Sequence, residues 1–456
     1  MSIFTNFFKP DPTKPEIQDE EKVKTDYNYW RMRILYSTFV GYALFYFTRK
    51  SFTFAMPGLI QDLHLDKSQL GFLGTILAVA YGLSKFTSGI FADRSNARSF
   101  MAFGLIMTGI LNIFFGMSSS LWLFAVFWGL NGWFQGFGWP PVARCLTHWY
   151  SHSERGSWWA IWNVSHNVGA FLIPWIVTFI LSYWNWRIGM YVPGLICIAG
   201  GFFILNRLRD TPQSLGLPPV EKFRNDYVEK DGKVEYEEKE LSVKEILFKY
   251  VLKNKFIWLL AVANFFVYIV RTGVNDWTAL FLMETKTYST IGAGGCVSLF
   301  EVGGFLGSLA AGWSSDYLFR ARRGPVNVLY ALGMLISIWL FWLIPGGYVW
   351  LDSIAMFLIG FAIFGPQMMI GLAAAELSHK KAAATATGLT GLLGYLGAAV
   401  AGYPFGVLIE TMQWSGFFLG MGVCCAMSIL VLLPLWSVTK SKSFALPKKK
   451  TKVEFA

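Results

Sequence analysis

The chain has 456 residues, 54% hydrophobic, 18% aromatic and only 15% charged, with a formal net charge of +11. Soluble domains carry nearer a quarter charged residues, so the balance excludes an ordinary soluble enzyme and calls for a helical protein that crosses a bilayer many times. The surplus positive charge gathers in loops and at the termini, where anionic lipid accounts for it and no nucleic-acid partner is needed.

Residues 1–30 include Asp11, Glu16, Glu20 and Glu21 but no apolar core, so no cleavable signal peptide is expected and the first apolar run is retained. Twelve apolar runs follow, each about 20 residues or longer. They predict spans near 31–55, 69–91, 99–117, 121–144, 156–181, 187–206, 255–283, 290–315, 325–344, 349–374, 382–409 and 415–436. The organisation expected is a cytoplasmic N-terminus (1–30), a six-helix half (31–206), a linker (207–254), a second six-helix half (255–436) and a basic tail (437–456). Within the linker, SVKEILFKYVLKNK has helical spacing of apolar residues and suits a helix lying on the membrane surface.

Basic residues crowd the termini and the even-numbered loops, whereas the opposite loops hold only Lys67, Arg187 and Lys286. The positive-inside rule then places both termini and the linker in the cytoplasm. Five cysteines, Cys145, Cys197, Cys296, Cys424 and Cys425, lack metal or disulfide spacing and read as small packing residues. The sequence has no P-loop, paired Cys/His cluster or nucleophile motif, so no catalysis, metal or cofactor is expected.

The two halves repeat one another. SGIFADRSNAR follows the second span with Gly89, Asp93 and Arg94; AGWSSDYLFRARR follows the eighth with Gly312 and Asp316. Both glycines and both aspartates are separated by 223 residues (312 − 89 and 316 − 93). This G-x-x-x-D pattern ahead of basic residues resembles the signature of the major facilitator superfamily. That resemblance implies an all-α membrane fold of twelve helices in two pseudo-symmetric halves, with the substrate held near midplane between them.

The same offset illuminates GYALFYFTRKSFT at 41–53, where Arg49 and Lys50 interrupt an apolar span at a cost of several kcal/mol if they lie in lipid. Arg271, in NFFVYIVRTGVNDW of the seventh span, lies 222 residues after Arg49 (271 − 49). Arg49 follows Ile34, and Arg271 follows Phe256, by 15 residues, so both sit about 22 Å into their helices at 1.5 Å per residue. Two such guanidiniums repel unless an anion joins them, and their planar forks suit a phosphate bidentately. The plainer alternative, that each pairs with a buried acid, finds few intramembrane acids to draw on.

Lys85 either adds charge to this cavity or snorkels to the interface. His166 shares a helix face with Trp162 and Asn163, a mixture suited to a polyhydroxylated ligand or to plain packing. Lys50 points about 100° away from Arg49, which leaves Asp276 as its expected partner near the outer face. Glu301 is either a coupling residue or a partner for a cavity cation, the second being favoured.

GYALFYFTRKSF, SKFTSGIFADRSNARS, GWFQGFGWPPVAR, WYSHSERGSWWAIWNVSHNVGA, RDTPQSLGLPP and VRTGVNDW together resemble the bacterial organophosphate:phosphate antiporters over nearly the whole chain. NDWTALFLMET, AAAELSHKKAA and FGPQMMIG are most similar to the hexose-phosphate transporter and sensor branch. The resemblance implies phosphate binding by Arg49 and Arg271 with Lys85 and His166. It implies a cavity lined by Tyr42, Tyr46, Tyr81, Gln135, Trp139, Trp162, Asn163, Tyr268 and Tyr395. Gating or coupling would then fall to Lys50, Asp276, Glu301, Asp93, Arg94 and Asp316. One departure is that 382–409 carries no charge, where the hexose-phosphate transporter has a charged pair that tunes sugar-phosphate preference.

The resulting expectation is a secondary transporter, not an enzyme, that exchanges a sugar phosphate, glucose 6-phosphate foremost, for inorganic phosphate. It would be a monomer in the bacterial inner membrane. Two alternatives stay open: a hexose-phosphate sensor signalling to a membrane histidine kinase, and a glycerol-3-phosphate:phosphate antiporter. A proton-coupled carrier of neutral sugars fits two symmetric arginines poorly.

Overall fold

A computed structural model describes residues 7–92, 95–151, 154–225, 248, 251–320, 322–378 and 382–438, and all its regular elements are helical among them. Of the predicted surface helix of the linker (242–255) only residue 248 and residues 251–255 are described; the basic tail beyond 438, Asp93 and Arg94 lie outside the described residues.

The first helix, α1 (Glu20–Leu63), runs well past the predicted 31–55 at both ends. Asp19 accepts from the Glu21 and Lys22 amides at its start, with Glu20 and Glu21 placed where the helix dipole favours acids. His64, at φ 52°, closes it in the left-handed region. There follow α2 (Lys67–Ala92), α3 (Ala97–Met117), α4 (Leu121–Gln135), α5 (Trp139–Trp149), α6 (Arg155–Asn163), α7 (Ser165–Tyr183) and α8 (Trp186–Arg207). After a short α9 (Val220–Arg224), the second half holds α10 (Lys255–Thr285), α11 (Thr290–Tyr317), α12 (Arg323–Leu343), α13 (Val349–Glu376), α14 (Ala383–Val400) and α15 (Tyr403–Leu432).

Three predicted spans are interrupted. The fourth breaks at residues 136–138, where Trp139-Pro140-Pro141 forms the first turn of a new helix and its prolines give up no helical hydrogen bond; the single prolines Pro57, Pro174, Pro193 and Pro366 sit inside other helices without ending them. The fifth breaks at Val164 between α6 and α7. The eleventh is α14 plus the first arm of α15; at Gln413 (φ 57°, ψ −163°) the chain turns, and Phe405 packs on Phe417 of the returning arm.

Within the first half α1 packs on α7 and α8, α3 on α8, and α2 on α4; within the second, α10 packs on α14 and α15, and α11 on α13. The halves meet where α7 packs on α11, α2 on α14 and α15, and α1 on α10. Glycine makes the closest approaches possible. A Cβ on Gly303 would run into the Phe357 carbonyl oxygen of α13, and one on Gly360 into that of Phe300 on α11. Gly71 of α2 and Gly402 at the bend before α15 similarly abut across the two halves.

The contacts between halves lie toward the end of the spans remote from the termini. Lys50 Nζ is 2.6 Å from Asp276 Oδ1, Lys67 Nζ is 2.8 Å from Glu284, and the Lys67 amide donates to Glu410 Oε1 at 2.6 Å. Thr75 Oγ1 donates to the Ala399 carbonyl at 2.7 Å nearby. At the terminus-bearing end the ion pairs among the described residues stay within one half. Arg144 pairs with the fully buried Asp210, whose carboxylate also accepts from the Ala97 amide. Glu154 is pinned between Arg31 (2.5 Å) and Arg224 (3.1 Å), and Asp316 pairs with Arg323 (2.5 Å), which also reaches Glu376. The described start of the linker is thereby fixed to the first half.

Candidate substrate-binding site

A cavity of ≈ 270 Å³ lies between the halves, lined from the first by α1, α2, α4, α5, α6 and α7 and from the second by α10, α13 and α14. Arg49 and Arg271 both face it, as their matched depth predicts.

The two guanidiniums are held differently. Arg49 Nε and Nη2 both donate to Gln135 Oε1, at 3.1 and 3.0 Å, and its Cζ lies 4.5 Å from the ring centres of Tyr46 and of Tyr81. Gln135 cannot turn away easily, because its Nε2 donates to the Phe45 carbonyl, Thr48 Oγ1 and Asn131 Oδ1. Arg271 rests on rings alone: Cζ lies 5.1 Å from Phe364 and 5.7 Å from Tyr268, and its Nε is buried with no hydrogen-bond partner. Neither arginine is ion-paired among the described residues, so the reading in which each is consumed by a buried acid is not what the fold builds. Aromatic faces shield the cations by cation–π attraction while leaving their N–H edges able to donate.

Lys85 turns inward and does not snorkel: Nζ donates to Tyr395 OH at 3.2 Å and lies 5.8 Å from the Trp139 ring centre. Tyr81 and Tyr395 meet edge to face at 5.0 Å, and Tyr268 meets Tyr395 at 5.8 Å, so aromatics from both halves close the wall. His166 Nδ1–H donates to the Asn163 carbonyl, and the ring lies parallel to Phe364 with centres 6.3 Å apart. That bond fixes the tautomer of a neutral ring and leaves Nε2 as an acceptor, suited to a hydroxyl proton. Asn163 lines the cavity beside it, together with Tyr42, Tyr46, Gln135 and Trp139.

Two expected placements are corrected. Trp162 is 1% exposed and packs behind Tyr42 at 4.9 Å, outside the cavity lining; its large ring is buried against the Tyr42 side of the wall. Glu301 also lies outside the lining and makes no direct ion pair among the described residues, although the charges of Arg271 and Lys50 act on it: Asn167 and Asn275 donate to its two oxygens at 3.1 and 3.3 Å. Because Asn167 is on α7, this carboxylate joins the halves through amides. Lys50 and Asp276 do form the expected pair, at the remote edge of the cavity. Asp316 sits far from the cavity lining, in its pair with Arg323.

Sequence reasoning missed Asn275 and Gln367, both in the lining, Phe364 beneath Arg271, and the outer cluster Lys67–Glu284–Glu410. The last had a signal, since Lys67 is one of very few cations expected on that side. Gln367 stood inside FGPQMMIG, but nothing in the pattern of that apolar run says which face it takes.

A model for the Major Facilitator Superfamily matches residues 38–402. The chain is 56% identical to the "Probable hexose phosphate transport protein" of Chlamydia pneumoniae, over 97% of this chain and 99% of that one. It is 49% identical to the "Membrane sensor protein UhpC" of Salmonella typhimurium, over 94% and 97% of the two chains. Among solved structures, a bacterial homologue of the human lysosomal transporter Spinster, in an inward-facing and unoccupied conformation, superposes with a TM-score of 0.66. That match has 19% identity and covers 89% of this chain and 93% of the other, a likeness of fold alone.

Proposed function

Since the chain belongs to the Major Facilitator Superfamily, in its organophosphate transporter branch, we propose that it exchanges a sugar phosphate, glucose 6-phosphate foremost, for inorganic phosphate. The observation that carries this reading is the pair Arg49 and Arg271, facing one cavity from opposite halves, neither of them ion-paired with a carboxylate among the described residues. A phosphate dianion between them offsets their repulsion and draws the halves together, so a loaded site rocks more readily than an unloaded one, and exchange is favoured over one-way release.

In this reading Arg49, Arg271 and Lys85 hold phosphate, while His166 and Asn163 face the sugar and the tyrosines shape the wall. Lys50–Asp276 closes the outer side; Asp93, Arg94 and Asp316 act in gating at the other end, and Glu301 couples the halves. The chain lies in a bacterial inner membrane as a monomer, with both termini and the linker in the cytoplasm.

A sensor is the second reading, favoured by the sensor relative: the same cavity would bind hexose phosphate and report to a membrane histidine kinase. Proteoliposomes loaded with phosphate decide between them. Uptake of labelled glucose 6-phosphate in exchange for internal phosphate, with free glucose excluded, supports the antiporter. Faster uptake of glycerol 3-phosphate would move the substrate to the alternative expected from the sequence, and binding without any exchange would leave the sensor.

A further inference from the structure

Four arginines lie at the terminus-bearing end of the first half: Arg33 from α1, Arg98 from the first turn of α3, and Arg207 and Arg209 from the end of α8 and just beyond. Arg33 and Arg209 converge on a single acceptor. The Asn206 carbonyl oxygen takes a hydrogen bond from Arg33 Nη2 at 3.0 Å and from Arg209 Nη1 at 3.1 Å. Both guanidiniums also lie against one ring, with Cζ 4.7 Å (Arg33) and 5.1 Å (Arg209) from the centre of Trp30. Arg98 joins them from α3; its Nε is buried without a hydrogen-bond partner, and its Nη2 is 3.7 Å from Asp11. Among the described residues Asp11 is the one carboxylate ion-paired with any of the four.

Scattered basic residues would satisfy the orientation rule without meeting. Gathering them onto one carbonyl adds repulsion, and burial together with the charges of Arg98 and Arg33 pushes the Arg209 guanidinium down from its usual value. An anion would relieve that repulsion. The surroundings indicate where the anion comes from. Membrane-ward of the cluster, Tyr36 and Phe202 are 40% and 61% exposed, and Tyr36 meets Phe203 across α1 and α8 with ring centres 6.3 Å apart. Tyr29 and Trp30 supply the aromatic pair typical of the headgroup layer. A soluble anion needs the cations and has no use for the apolar groove beneath them. A phospholipid uses both.

We propose that this cluster is a binding site for an anionic phospholipid, its phosphate held between Arg33 and Arg209 and its acyl chains lying over Tyr36 and Phe202. The site is separate from the transport cavity and does not depend on the substrate reading.

Native mass spectrometry of the full chain, released from nanodiscs of equal dioleoylphosphatidylglycerol and dioleoylphosphatidylcholine, counts retained lipids by class. Arg33→Gln with Arg209→Gln should weaken phosphatidylglycerol retention roughly five-fold per charge removed, about 25-fold together, with phosphatidylcholine unchanged. Asp11→Asn leaves all four arginines and removes the opposing carboxylate, so its retention should rise; this holds the proposal open to test even if the double variant does not fold. Equal retention by wild type and each variant that folds overturns the proposal. Thermal stabilisation by inorganic phosphate that disappears in the double variant would assign the cluster to a soluble anion and overturn the lipid reading as well.

Discussion

Neutralising either end of the Lys50–Asp276 pair should open the outer side of the transporter. The pair spans the two halves at 2.6 Å, with side chains 15% and 27% exposed, so it is shielded from solvent but not dry. At an effective dielectric constant near 20 the bare attraction is about 6 kcal/mol, most of it returned when opening rehydrates both ends. A net coupling of about 1–3 kcal/mol is the working figure, equivalent to a shift of roughly 5- to 150-fold in the balance between closed and open outer gate. Asp276→Asn and Lys50→Met should each produce such a shift, and the swap Lys50→Asp with Asp276→Lys should recover part of it. The five native cysteines are buried, which keeps background low, and Met56→Cys, in the cavity lining seven residues past Arg49, provides a reporter. Labelling of that cysteine by a membrane-impermeant thiol reagent, applied from outside, should accelerate by at least five-fold in each single variant and fall back in the swap. Labelling rates that do not change, or losses that simply add in the double variant, would remove the bridge from the gate.

Further expectations follow from the site and its supports. Arg49→Lys and Arg271→Lys should each abolish phosphate exchange at normal membrane abundance, because an ammonium cannot supply a planar fork; near wild-type exchange by either refutes the clamp. Asn163→Ala should weaken glucose 6-phosphate exchange about ten-fold or more while sparing phosphate–phosphate exchange, since a site built for hydroxyls is penalised when their partners go; equal loss of both activities would make Asn163 a structural residue. Burial opposes ionisation of Glu154, but Arg31 and Arg224 outweigh it and hold the carboxyl below its ordinary value. A depressed folded-state value means the stabilisation is present above the unfolded value and is lost as pH falls through the folded one. The melting temperature of wild type in detergent should therefore exceed that of Glu154→Gln near neutral pH, and the gap should close as pH falls through the depressed folded-state value; a constant gap into strong acid argues against the ion pair.

The sequence made the fold legible wherever apolar length decided it, and the twelve spans all find their helices. It misjudged continuity: the break ahead of Trp139-Pro140-Pro141 had a signal in the paired prolines, although single prolines elsewhere lie inside unbroken helices, whereas that at Val164 has no local signature. In the cavity, the matched depths of Arg49 and Arg271 were readable because depth along a helix is simple arithmetic. Which way a side chain faces is not, when both faces of a span are apolar. Trp162 was placed on the ligand side with Asn163 and His166, but consecutive residues diverge by about 100°, and Trp162 ends behind Tyr42. Glu301 was assigned a cation because a lone acid invites one; the amides of Asn167 and Asn275, each unremarkable in sequence, were already there to hold it.

Sequence symmetry also concealed an asymmetry that bears on how an anion enters the cavity. Arg49 is committed to Gln135, which is anchored in turn by Phe45, Thr48 and Asn131, whereas Arg271 lies against Tyr268 and Phe364 with a buried Nε unpaired. An incoming phosphate gains its first charge-assisted hydrogen bonds from Arg271 without displacing a protein partner. Engaging Arg49 then means competing for N–H groups already spent on Gln135, a bond exchange whose net cost is small because one acceptor replaces another. Under the proposed exchange the consequence is directional: the anion would bind first to the second half and be completed by the first, so that full coordination and approach of the halves would become a single event. The gate residues follow from the same geometry, for Lys50 is the neighbour of Arg49 and Asp276 lies five residues beyond Arg271 on α10. In the proposed mechanism, movement of either arginine toward a shared phosphate would pass along its own helix to one member of the Lys50–Asp276 pair, and so would couple occupancy of the clamp to closure of the gate.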